Sequence, residues 1–77
     1  MQTFFIDTSD GHIALTDNIG MELPDADAAR SAAVAALPGI ASDQIPNGDH
    51  REFNATVRDS SGRPILRATL TLSVEWL

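Results

Sequence analysis

The stretch MELPDADAARSAAVAAL, from Met21 to Leu37, decides how the rest of the chain is read. Leu23-Pro24-Asp25 announces a helix, with Asp25 as the N-cap and Ala26, Asp27 and Ala28 filling the first turn. Ala26, Ala29, Ala33, Leu37 and Ile40 then recur with a 3.6-residue period, while Asp27, Arg30 and Ser31 fall on the other side. This is one amphipathic helix whose small residues allow close approach to a neighbouring layer. Pro38 removes the hydrogen bond to the Val34 carbonyl and disfavours helical geometry at Leu37, so a kink or break is expected at Pro38-Gly39, with one further turn through Ile40 to Gln44.

Outward from the helix, the patterns change to period 2. Upstream, TFFI (Thr3 to Ile6) and HIAL (His12 to Leu15) flank the turn signal TSDG, which reads as a hairpin, and TDNIG (Thr16 to Gly20) supplies the next turn. Downstream, IPNGDH (Ile45 to His50) is a loop by composition. Phe53, Ala55 and Val57 then alternate with Asn54, Thr56 and Arg58, and DSSG (Asp59 to Gly62) turns the chain. The last strand sets Leu66, Ala68, Leu70, Leu72, Val74 and Trp76 on one face and Arg67, Thr69, Thr71, Ser73 and Glu75 on the other. The order is ββαββ: a single α+β domain over residues 1–77, one helix packed on a four-stranded, mainly antiparallel sheet.

The register of the second hairpin has two readings. A three-residue loop with Gly62 left-handed pairs Val57 with Ile65 and sets the leucines opposite Asn54 and Thr56. A four-residue loop, or a bulge near Arg67, puts the leucines on the Phe53 and Val57 face and is preferred, because a one-residue slip splits the core.

Composition excludes more than it identifies. A chain of 77 residues has room for one core, burying roughly 60% of its unfolded surface. Without cysteine there is neither a disulfide framework nor a thiolate zinc site. The start, MQTFFIDTSDG, lacks the pattern of a signal peptide and no apolar run approaches a membrane span, so a soluble, cytoplasmic protein is expected, with no membrane partner. Residues 1–49 carry eight acids against Arg30, and residues 50–77 carry four arginines against three acids. The net charge of −6 opposes phosphate backbones, so no nucleic-acid partner is expected.

Several stretches together resemble a family of small bacterial proteins known only as a domain of unknown function. They are the aromatic first strand, Asp10-Gly11, the Gly-x-Glu-Leu-Pro-Asp helix start with its alanines (Gly20 to Ala29), Gly48-Asp49, and the Val-x-Asp-x-x-Gly-Arg turn (Val57 to Arg63). The resemblance spans nearly the whole chain. It implies a shared fold and no assigned activity, so it transfers no catalytic residue. It also implies an uninterrupted helix, from which Pro38-Gly39 departs.

Candidate chemistry is sparse. The helix start is a natural anion site, but Asp25 and Asp27 already occupy it. Asp10-Gly11-His12 and Gly48-Asp49-His50 could share a metal, yet neither has the i,i+4 spacing of a helical site, and no metal or other cofactor is expected. No cysteine, serine elbow or carboxylate in an apolar setting suggests catalysis. Arg58, Arg63 and Arg67 remain, on the sheet face away from the helix and at its turn, as a docking face for an acidic partner or an ordinary solvated face. Finally, an unbroken strand from Ile65 to Trp76 would span roughly 40 Å, against about 30 Å for the domain. Either it bends at a bulge, or Leu72, Val74 and Trp76 project as an edge that pairs with a second chain. The expected function is therefore a non-enzymatic binding or assembly module forming a homodimer through the C-terminal strand. The alternative is an antitoxin-like regulatory protein that binds an unidentified protein partner.

Overall fold

The computed structural model describes residues 1–44 and 50–77. Its elements are β1 (Gln2–Ser9), β2 (Ala14–Leu15), β3 (Met21–Leu23), α1 (Ala26–Gln44), β4 (His50–Arg58) and β5 (Pro64–Ser73). The strands form an antiparallel sheet in the order β2-β1-β4-β5, with β3 pairing β1 beside β2. One helix covers one face. The α+β reading stands with five strands in place of four. Apart from His50, the loop expected at Ile45 to His50 lies outside the described residues.

The extra strand arises from turn chemistry. Asp10 accepts hydrogen bonds from the backbone N–H groups of His12 and Ile13, at 2.9 and 2.8 Å, which withdraws those residues from the ladder and shortens the expected HIAL strand to Ala14–Leu15. Asp17 then pins an excursion of the chain beside β1, and Gly20, at φ +82°, returns the chain to that strand, still running antiparallel to it. A Cβ at Gly20 would lie 2.8 Å from Thr3 Cγ2 and 3.1 Å from the Phe5 ring, so both conformation and space require glycine there. Three residues are enough to pair Met21, Glu22 and Leu23 with Phe4, Thr3 and Gln2. Thus β2 and β3 occupy different lengths of the same edge of β1.

The helix begins where the sequence places it. Asp25 Oδ1 accepts the Ala28 N–H at 2.9 Å, one turn in, as an N-cap carboxylate does. Replacing Asp25 with alanine is expected to lower stability by about 1 kcal/mol and with asparagine by much less. Thermal unfolding of both variants checks this, and two unchanged melting temperatures would contradict the cap.

The buried stripe of α1 is Ala29, Ala33, Leu37 and Ala41. Ala26 is exposed and Ile40 only half-buried, so the apolar face runs one residue further round than the expected Ala26-to-Ile40 set. Nor is α1 broken at Pro38: it continues to Gln44. Proline leaves the Val34 carbonyl without its donor, but Pro38 and Val34 are both exposed, so water can satisfy that oxygen. Leu37 and Ala41, on either side of the proline, are buried against the same core and hold the two halves in line.

That core is completed by Phe4 of β1 and by Phe53, Ala55 and Val57 of β4, with Ile6, Leu23, Leu66 and Ala68 packed around it. The second hairpin resolves the question of register. Asp59 and Arg63 close a three-residue loop, with Asp59 N–H donating to the Arg63 carbonyl at 2.9 Å and Gly62 at φ +88°. The pairing then shifts by one, from Arg58 opposite Pro64 to Val57 opposite Leu66, leaving Ile65 as the extra residue. Phe53 consequently faces Leu70 and Ala55 faces Ala68, so the leucines share the helix face. The preferred face is correct. The device is a bulge at Ile65, two residues before the expected position, combined with the shorter loop.

Candidate interaction surface

Each strand of the sheet presents alternate residues to the face away from the helix. From β1 come Phe5, Asp7 and Ser9; from β4, Asn54, Thr56 and Arg58; from β5, Arg67, Thr69 and Thr71. Asp7, Ser9, Thr16, Asn54, Thr56 and Arg67 line a shallow groove of about 330 Å³ on this side.

Arg58 does not serve this face as a free cation. Its Nε donates to Asp7 Oδ2 at 2.7 Å and its Nη2 to Asp7 Oδ1 at 3.0 Å, a two-pronged pairing, while Nη2 also reaches the Asp17 carbonyl at 2.8 Å. The guanidinium lies 4.8 Å from the centre of the Phe5 ring. Asp7 Oδ1 also accepts the Asp17 N–H at 2.9 Å, and the Asp17 carboxylate accepts the N–H groups of Ile6, Ile19 and Gly20 at 2.9–3.0 Å. Arg58 thereby fastens the turn at residues 16–20 to the outer face of the sheet. Its Nε and Nη2 are thus engaged within the fold.

Arg51 is the functional-looking residue that the sequence reading passed over. It is 7% exposed, directs Nε and Nη2 to the Asp10 carbonyl, and sits 5.5 Å from the centre of the Phe53 ring. Its guanidinium approaches the Asp10 carboxylate at 3.8 Å. The signal was present: Arg51 continues the same alternate positions as Phe53, Ala55 and Val57, so period 2 places it on the inner face. It ties β4 to the first turn.

Four of the eleven acidic side chains thus hold turns and the Arg58 pairing in place. Asp7, Asp10, Asp17 and Asp59 all titrate below the ordinary aspartate value. Asp7 is held down first by the Arg58 guanidinium, Asp10 by the N–H groups of Ile13 and His12, Asp17 by those of Gly20, Ile6 and Ile19, and Asp59 by the Ser61 hydroxyl and the Arg63 N–H. In the unfolded chain these groups take up protons at higher pH than in the native state. Their contribution is fully present above about pH 4 and disappears as pH falls through the lower native values. Melting temperature should accordingly fall steeply with acidification below about pH 4 and change much less between pH 5 and 7. A curve flat to pH 2 would rule out these turns as the acid-sensitive elements.

Of the other singled-out residues, Arg63 is exposed where the hairpin turn ends, and Arg67 is exposed with Nε 3.3 Å from Thr56 Oγ1. Neither has a carboxylate partner among the described residues. Leu72 is half-buried, Val74 is 50% exposed and Trp76 96% exposed. β5 ends at Ser73, short of the expected Trp76, so residues 74–77 continue past the end of the ladder. His12 is exposed, in the turn that lies beside the start of β4. His50 lies 3.7 Å from Glu52, while Gly48-Asp49 fall outside the described residues. Among the described residues no group of three histidine, aspartate or glutamate side chains converges on a common point, and no helix is long and apolar enough to cross a membrane.

No curated protein and no solved structure matches the chain. A family model does, over residues 3–71, from the first aromatic strand to all but the end of β5. The protein belongs to the family described as a domain of unknown function, DUF6894.

Proposed function

We propose that this protein is a non-enzymatic assembly module of the bacterial cytoplasm that self-associates through β5. The observation that carries the proposal is the outer edge of that strand. β5 closes the sheet on one side, and its ten residues pair only with β4 among the described residues, so one row of backbone N–H and C=O groups has no strand beside it. The usual protections of an edge are scarce: no lysine occurs in the chain, and Pro64 and the Ile65 bulge blunt only the first end. Beside the unpaired row lie exposed Leu70, Val74 and Trp76. Homo-oligomers are mostly two-fold symmetric, and an open antiparallel edge is complementary to itself under a two-fold rotation. The polar outer face supports the same reading, since its strongest charges are engaged in fastening a turn.

Light scattering tests it on the full chain and on a chain ending at Thr71. A dimer is expected for the first, and a monomer or unfolded chain for the second. A full-length monomer at high micromolar concentration would defeat the proposal.

A further inference from the structure

We infer that the partner is a second copy of β5 running antiparallel to the first, with the two-fold axis at Thr71, so that Arg67 of each protomer meets Glu75 of the other. This inference rests on the self-association proposed above and adds its register.

Side-chain chemistry on the outward row fixes the centre. Along β5 and the segment beyond it, that row reads Arg67, Thr69, Thr71, Ser73, Glu75, with a single base and a single acid. Residues equidistant from a two-fold axis lie opposite each other on the same face. An axis at Arg67 would set two guanidinium groups against each other, and an axis at Thr69 would leave Arg67 opposite Thr71. With the axis at Thr71, Arg67 meets Glu75 twice, once at each end of the paired segment, and Thr69 meets Ser73. Both partners are available: Arg67 and Glu75 are exposed, and neither has an opposite charge within reach among the described residues.

The helix-side row agrees. The same axis puts Leu70 opposite Leu72, Ala68 opposite Val74, and Leu66 opposite Trp76. Leu66 is half-buried beside the core and Trp76 is 96% exposed, so the pairing gives the most exposed aromatic ring an apolar neighbour. It also gives Val74–Trp76, which lie beyond the end of β4 pairing at His50 and Ser73, a strand to pair with. The axis is perpendicular to the sheet, so the two sheets become continuous and both helices lie on one side.

Charge reversal and a single engineered thiol test the register in the full chain. Arg67→Glu and Glu75→Arg should each weaken the dimer about tenfold, and the double variant should restore it, because opposed like charges repel where opposite charges attract. Circular dichroism should show all three with the wild-type fold, since both residues are exposed. The chain has no cysteine, so Thr71→Cys supplies one thiol per protomer. Directly opposed antiparallel Cα atoms lie about 4.5–5.5 Å apart, within disulfide range, and mild oxidation should link Cys-bearing protomers for Thr71→Cys but not for Thr69→Cys. A wild-type dimer indifferent to both reversals, or cross-linking at 69 and not at 71, would overturn the register while leaving self-association intact. A wild-type monomer at high micromolar concentration would overturn both and leave the edge to a strand from a different protein.

Discussion

Replacing Phe53 with alanine is expected to cost about 3–5 kcal/mol, the range for removing a buried aromatic ring. Phe53 is fully buried at the middle of β4, between β1 and β5 and under α1. A chain of 77 residues has a total stability of about 4–12 kcal/mol, so this single change takes a large part of it. The loss should be severe because the surrounding core is built of alanines. Ala29, Ala33, Ala41 and Ala55 have no side-chain length with which to close over a cavity. Phe53→Leu fills most of the volume and should retain most of the stability. Urea denaturation at fixed protein concentration measures both, the concentration being held because association would add to apparent stability. A Phe53→Ala midpoint close to wild type would mean that the helix does not press on β4.

The second large effect is expected at Leu37, the one large side chain on the buried stripe of α1. Leu37→Ala should lose about 2–5 kcal/mol, whereas Arg30→Ala, on the exposed side, should change stability little. The contrast is sharper than for an ordinary helix. The rest of the stripe is alanine, so the alanines set how closely α1 approaches the sheet and Leu37 supplies most of the apolar contact. Equal melting temperatures for the two variants would place the wrong face of the helix against the sheet.

The parts of the fold that could be read from sequence are those whose causes are local. Asp25 caps the helix because an aspartate at that position needs only the next turn of amides, and the alternation in β4 and β5 is visible because side chains on a strand repeat every two residues. The side of the sheet chosen by the leucines was legible too, since splitting the core is costly whatever the loop. What escaped depended on partners far away in the chain. Arg58 looks like a surface arginine until Asp7, 51 residues earlier, is placed beside it. β3 is three residues without a distinctive pattern, and only the grip of Asp17 on Ile6, Ile19 and Gly20 brings it alongside β1. Pro38 misled for a related reason: its local cost is real, but buried Leu37 and Ala41 outweigh it. The edge residues Leu72, Val74 and Trp76 were singled out for a length argument, and the structure places them at the end of β5 and just beyond it.

The pairing of β1 with β4 has a consequence for how the protein is made. β4 and β5 are joined by a three-residue loop and can form as a hairpin on the microsecond scale. β1 has such a shortcut only on its outer edge, to β2 and β3. Its inner neighbour is β4, and Asp7 finds Arg58 only after 51 intervening steps of chain have been gathered in, so loop-closure entropy opposes that contact until the end. On a ribosome the order is harsher still, because β1 emerges first and can meet β2 and β3 early, but Phe5 to Ser9 wait for residues 54–58 before the strand on their inner edge exists. Refolding experiments should therefore find the β4–β5 hairpin formed in the transition state and β1 docking late, which makes the nascent N-terminal strand the most vulnerable point in the life of the molecule.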